Sequence, residues 1–174
     1  LDVILVSERK KGHRVVVISD EAQALQVKVL DQLRLLSNLE TDTEKLIQLV
    51  LIGQPELDQL LKKSELRQLC QRITISWELL PLNRDETRGY IQHRVNVALG
   101  KGRVQFARSA VELIYKYSHG IPRMINVLAD RSLLIAYTMN TKKITPKIVR
   151  PAVKDIGGLT PLPTWMGTLW KSVL

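Results

Sequence analysis

Arg14-Val15-Val16-Val17-Ile18-Ser19-Asp20-Glu21-Ala22-Gln23 decides the fold class. Its β-branched run shows no polar alternation, the pattern of a parallel strand buried on both faces. Two adjacent carboxylates stand at the carboxyl end of that run, the edge at which open α/β sheets bind ligands. Downstream, Ala22, Leu25, Val29, Leu33 and Leu36 recur at helical spacing and predict one amphipathic helix, with its exit at Ser37 and Asn38. Glu40 to Glu44 reads as an acidic loop, and Leu46 to Ile52 as a second buried strand closed by Gly53. Pro55 suits the first turn of a short helix carrying Leu57, Leu60 and Leu61. Leu66, Leu69 and Cys70 mark another, which makes Cys70 a small core filler rather than a nucleophile. Ile73, Ile75, Trp77 and Leu79 alternate and predict a third strand. Strands and helices in this order are the grammar of an α/β sheet, expected over residues 1–80.

After Pro81 the pattern turns to helices alone. Asn83 can cap a helix running to Gly100, with Asp85 and Glu86 in its first turn. A second helix is expected from about Arg108 to Ser118, stopped at Gly120. A third opens at Pro122, with Ile125, Leu128, Ser132, Ile135 and Met139 on one stripe. A fourth has Thr145 as cap, Pro146 at its first position, and Ile148, Val149, Ala152, Val153 and Ile156 on one face. Four short helices over residues 81–156 can share one small core. The tail, 157–174, reads as a linker rich in Gly, Pro and Thr, followed by an apolar segment with Trp165 and Trp170, residues that suit the approach to a membrane or a return onto the helices.

Composition narrows the function classes. The chain has 174 residues, 45% of them hydrophobic and 25% charged, so it can bury a core. One cysteine excludes an internal disulfide and a cysteine-based metal site, and His13, His93 and His119 lack metal-ligand spacing. No apolar run approaches the roughly 18–20 residues of a spanning helix. Leu1 to Val6 meets Glu8-Arg9-Lys10-Lys11 at once and has no cleavage-like site, unlike a signal peptide. The start at Leu1, without an initiator Met, points to a piece of something longer. The formal charge is +9, and it is uneven: residues 1–83 hold 11 Lys and Arg against 12 Asp and Glu, whereas 84–155 hold 14 against 5. A basic second half fits phosphates, nucleic acid or an anionic membrane, and equally a solvated helical surface.

Phosphoryl transfer needs charge neutralisation and a positioned water. Of the two acids after the first strand, one can hold Mg²⁺ and the other can orient that water, the Walker B arrangement; acids at a helix start are the plain alternative. Gln54, ending the second strand in Leu51-Ile52-Gly53-Gln54-Pro55, can touch a phosphate or hold the water as a sensor 1 amide, or be a polar turn residue. Arg123, in Gly120-Ile121-Pro122-Arg123, can reach a phosphate as sensor 2, or be a surface arginine after a turn.

Taken in order, V-V-V-I-S-D-E-A-Q, L-I-G-Q-P-E-L, L-R-Q-L-C-Q-R-I followed by L-L-P-L, and G-I-P-R-M-I-N resemble the AAA+ ATPases, most closely the general secretion pathway protein A type of type II secretion. The resemblance spans about residues 5–156. It implies a partial P-loop NTPase α/β sheet followed by an all-helical lid, with ATP and Mg²⁺ as cofactors. It implies that Asp20 serves Mg²⁺, Glu21 polarises water, Gln54 is sensor 1 and Arg123 sensor 2. Arg67 and Arg72 become candidates for an arginine finger acting on a neighbouring subunit, with Arg72 weakly preferred and a helix-closing role its alternative. Ser19 departs from the aliphatic residue usual at its position. No G-x-x-x-x-G-K-[ST] occurs in the chain, so the phosphate cradle is missing; the resemblance puts it upstream of Leu1. The chain is therefore expected to be the later two-thirds of an ATPase module, inactive alone, whose parent hydrolyses ATP while building or placing a secretion pore. Implied partners are other subunits and a secretion-system component, at the cytoplasmic face of the bacterial inner membrane. The alternatives are a DNA-associated AAA+ protein of transposition-helper or initiator type, whose nucleic acid the basic half would suit, and a non-catalytic interaction domain. In the implied fold the phosphate-loop strand lies between the third strand and the second. The third strand should then face a gap, re-pair directly, or have its edge covered.

Overall fold

Two parallel strands, β1 (Val15–Ser19) and β2 (Ile47–Leu51), form the sheet of the first half of the chain, in the register Val15↔Ile47 to Ser19↔Leu51. The computed structural model describes residues 2–36, 39, 45–100 and 104–162, and it divides into two units, Leu1–Trp77 and Glu78–Leu174. The acidic loop at 40–44, Trp165 and Trp170 lie outside the described residues.

In the first unit, helix α1 (Asp2–Lys10) precedes β1, an element the sequence reading passed over. Leu5 and Val6 of α1 pack with Val15, Val17, Leu46 and Ile47, which closes one face of the sheet. The turn into β1 is held by Glu8, which accepts from Lys11 Nζ at 2.8 Å and lies 2.7 Å from His13 Nδ1. His13 and then Lys11 hold its carboxyl below the usual carboxylate range. The expected burial of β1 on both faces is corrected: Val16 and Ile18 are 44% and 63% exposed. A run of β-branched residues marks a strand able to take a layer on each side, but the described residues supply a layer on one side only.

The helix expected from Ala22 to Leu36 is two pieces. A single 3-10 turn covers Ala22–Ala24, Leu25 is extended, and helix α2 runs Val27–Leu36. Helix α3 (Pro55–Leu61) has Pro at its start as predicted, and a short 3-10 turn leads into α4 (Arg67–Cys70). Leu30, Leu66 and Leu69 are buried with Leu25, Leu51, Leu60 and Leu61 in a second small core. Cys70 is half-buried and donates its thiol to the Leu61 carbonyl at 2.9 Å, as befits a filler.

No strand forms at 73–79. The segment runs without secondary structure, and Ile75, Trp77 and Leu79 are 83%, 85% and 88% exposed. Alternation describes side chains, whereas a strand exists only when its N–H and C=O groups find a ladder. β1 and β2 pair with each other, and no third strand joins them among the described residues.

The second unit holds α5 (Arg84–Leu99), α6 (Arg108–Ser118), α7 (Pro122–Thr138) and α8 (Pro146–Ile156) around one core of Ile91, Val111, Ile114, Ile125, Leu128 and Val149. Asn83 caps α5 with a full capping box: its Oδ1 accepts from Glu86 N at 2.9 Å while its own N–H donates to the Glu86 carboxylate at 2.7 Å. Three expectations are corrected here. The lid is not all-helical, because β3 (Gln105–Phe106) pairs in parallel with β4 (Lys143–Ile144). Ala136, not Met139, continues the buried stripe of α7, and Met139 is 61% exposed. Thr145 occupies the cap position of α8 but makes no side-chain cap bond; its carbonyl accepts from Ile148 and Val149 N–H.

Leu82 and Gly120 tie the entry segment to the α6–α7 turn, with Leu82 N–H donating to Gly120 O at 2.9 Å. Gly120 sits at φ +73, and a Cβ there would lie 2.0 Å from the Leu82 carbonyl oxygen. Gly120→Ala is expected to lower lid stability by about 3 kcal/mol or more, since strain and backbone collision add. Thr87 offers the opposite sign, because its Oγ1 is fully buried without a hydrogen-bond partner among the described residues. Thr87→Val keeps the shape and removes the orphan hydroxyl, and should stabilise by about 1 kcal/mol. Thermal or urea unfolding of both variants checks the pair; a destabilised Thr87→Val would mean that the hydroxyl has a partner.

Candidate functional site

Ile52, one residue past β2, makes two backbone hydrogen bonds that build the site. Its N–H donates to Ser19 O at 2.8 Å, and its carbonyl accepts from Ala22 N–H at 2.9 Å. Ser19 and Ala22 are thereby fixed to one residue, and Asp20 and Glu21 between them are pinched out of the ladder at its carboxyl end. Closing so tight a turn puts Glu21 in the left-handed region, φ 52 and ψ 37. Such a conformation costs a non-glycine residue of order 1–3 kcal/mol and persists where the surroundings dictate it.

The side chains converge from both strand ends. Asp20 Oδ1 accepts from the Glu21 N–H at 2.8 Å, which locks the pair. Glu21 Oε2 accepts from the Gln23 amide and lies 3.4 Å from Gln54 Nε2. The side-chain Oε1 of Gln23 in turn accepts from the Gln54 backbone N–H at 3.1 Å. Asp20, Glu21 and Gln54, singled out from sequence, thus stand together just past the carboxyl ends of adjacent parallel strands, and all three are exposed to solvent. Gln23 is the member that sequence reasoning missed. Sequence alone gives it no role, because an amide two residues after a carboxylate gains one only when the turn brings it against the next strand.

The remaining candidates lie elsewhere. Arg67 is the first residue of α4 and Arg72 follows that helix, both exposed. Arg123 is exposed in the first turn of α7, in the second unit, and makes no ion pair or side-chain hydrogen bond among the described residues.

Chemically, the arrangement offers one carboxylate with an oxygen unengaged among the described residues, Asp20 Oδ2, beside a second carboxylate aimed by two amides. That donor set suits a hard cation and a polarised water. Gly53 makes the approach feasible: a Cβ there would lie 2.7 Å from Gln23 Oε1 and 2.8 Å from Leu57 Cδ2. Gly53→Ala should therefore displace the Gln23 amide, uncouple Gln54 from Glu21, and cost the first unit about 1–3 kcal/mol. Side-chain amide NMR signals of Gln23 and Gln54, with a urea titration, read both effects; unchanged amide signals would refute the close approach.

A family model described as AAA domain matches residues 3–61. The chain is 44% identical over 167 residues to General secretion pathway protein A of Aeromonas hydrophila, covering 95% of this chain and 30% of that protein. Among solved structures, the Thermotoga maritima RuvB Holliday junction branch migration motor superposes with a TM-score of 0.64 at 22% identity, over 88% of this chain and 49% of that one. The ORC2 protein of Aeropyrum pernix in its ADP form gives 0.67 at 19% identity, over 88% and 43%. Identities this low speak to the fold, a partial AAA+ architecture of parallel sheet and helices. Over 95% of its length the chain is thus similar to part of a general secretion pathway protein A, its first third matches an AAA domain model, and its fold is a partial AAA+ fold.

Proposed function

We propose that this chain contributes the metal- and water-handling part of an ATP hydrolase site, in a protein that couples hydrolysis to assembly or placement of a type II secretion pore. The observation that supports it is the Asp20–Glu21–Gln54 cluster at the carboxyl ends of two adjacent parallel strands. Asp20 would hold Mg²⁺, directly or through water. Glu21 would take the proton of the attacking water, with Gln23 and Gln54 fixing the carboxylate that does so. Bound Mg²⁺ supplies charge neutralisation at the phosphates. Arg123 would meet a phosphate as a fork of donors, and Arg72 or Arg67 would reach the nucleotide of a neighbouring subunit. Self-association, a secretion-system partner and a place at the cytoplasmic face of the inner membrane belong to the same reading, supported by the likeness to the Aeromonas hydrophila protein, of whose length the chain covers 30%.

No phosphate loop occurs in the 174 residues, and with it go the backbone cradle and the phosphate lysine. The 174-residue chain is accordingly expected to bind ATP feebly and to hydrolyse none. In a polypeptide carrying this chain behind such a loop, Glu21→Gln should cut turnover by about 10²–10⁴-fold while nucleotide still binds. Phosphate release assays on both proteins test the reading. Steady turnover by the 174-residue chain that vanishes with Glu21→Gln would show the loop replaced, and turnover indifferent to Glu21→Gln in the longer protein would remove Glu21 from the chemistry.

A further inference from the structure

The excess positive charge of the chain has an address. Between Lys142 and Lys154 stand Lys142, Lys143, Lys147, Arg150 and Lys154, with no acidic residue among them, and all five are exposed. On α8 the spacing of Lys147, Arg150 and Lys154 sets them on one stripe, opposite the buried Ile148, Val149 and Ala152. The stripe is about 10 Å long at 1.5 Å per residue. The acid nearest in sequence, Asp155, lies off the stripe and is held by Arg131 Nε at 2.9 Å. None of the five cations has an ion pair among the described residues.

An apolar edge adjoins this row. α7 ends with Tyr137 83% exposed and Met139 61% exposed, and a tight turn with Asn140 at φ 50 carries the chain straight to Lys142. Exposed aromatic and apolar side chains rimmed by lysines are the composition of a surface that lies in a lipid headgroup layer. A single-stranded nucleic-acid track uses aromatic platforms interleaved among its cations, and the α8 stripe offers only Pro151 between them, which leaves duplex DNA as the competitor to be tested. Further along the sequence stand Trp165 and Trp170, the residue type that favours the same layer.

We infer that the outer stripe of α8, with the α7–α8 turn, is a docking surface for an anionic lipid bilayer. Lysine and arginine point charges meet the negative headgroups, and Tyr137 and Met139 enter the interface beside them. The catalytic reading plays no part in this, since Asp20, Glu21 and Gln54 lie in the other unit.

The test is flotation of the 174-residue chain with vesicles of phosphatidylcholine alone and of phosphatidylcholine mixed with phosphatidylglycerol. The chain should float with the mixed vesicles, not with the neutral ones, and lose binding as salt shortens the screening length. Lys147→Gln, Arg150→Gln and Lys154→Gln together should weaken partitioning on the order of a hundredfold, at about fivefold for each cation near the surface. Tyr137→Ser should weaken it further. Circular dichroism and the thermal midpoint verify that the triple variant folds; should it fail, Lys142→Gln with Lys143→Gln provides the same readout from positions outside the helix. Equal binding to neutral vesicles, binding that survives the charge-removing variants, or displacement from mixed vesicles by duplex DNA at equal phosphate concentration would each overturn the inference.

Discussion

Everything at the site depends on Ile52 bonding both Ser19 and Ala22. Those two backbone hydrogen bonds extend the β1–β2 ladder one step beyond its last paired residues and force the intervening dipeptide outward. Each is worth only about 1 kcal/mol net, yet together they dictate the left-handed Glu21 and the direction of both carboxylates. Preorganisation of this kind is inexpensive to maintain, because the ladder that enforces it is needed for the fold in any case. It also makes the site robust to substitution of side chains around it and sensitive to whatever displaces the two strand ends, such as a Cβ on Gly53.

The lid has its own single constraint, the close approach of Leu82 to Gly120. The glycine is required by positive φ and by the absence of space, and the arginine three positions later inherits its place from that turn. Gly120-Ile121-Pro122-Arg123 is therefore one physical unit: a left-handed stop for α6, a turn against Leu82, a proline opening α7, and Arg123 carried into the first turn of that helix. His119 is left-handed too, and Nε2 of its ring lies 2.9 Å from the Thr160 carbonyl oxygen, so the segment after α8 returns to the same corner. The neighbouring Leu162 N–H donates to Lys116 O, which closes the last turn of α6 against that segment.

What could be read from sequence follows from which forces are local. Helix caps are local, so Asn83, Pro55, Pro122 and Pro146 announced their helices correctly. The carboxylate pair was legible because strand and acids are contiguous in sequence, and Gln54 because an apolar run ended in a polar residue. Gln23 was hidden, since its role depends on the neighbouring strand. The break at Leu25 was hidden as well: Ala22 and Leu25 stay inward through a change of backbone, and after it Leu30 takes the buried place expected of Val29, which is 37% exposed. Helix α1 was passed over for a different reason, as a short apolar start followed by four charges has no helical stripe long enough to count.

The segment 73–79 shows the limit of pattern most plainly. Ile73, Ile75, Trp77 and Leu79 alternate as faithfully as any strand, and β1 and β2 do not alternate at all, yet the latter pair and the former does not. Hydrophobic alternation measures what a strand's two faces would meet, while strand formation requires hydrogen-bonding partners at its edges, and these are separate conditions. When faces and edges are both unmet, no gain offsets the entropy of holding the chain extended. The result is a stretch bearing a 85% exposed Trp77 at the boundary between the units. Exposed alternating apolar residues that join no ladder among the described residues are what an added strand recognises.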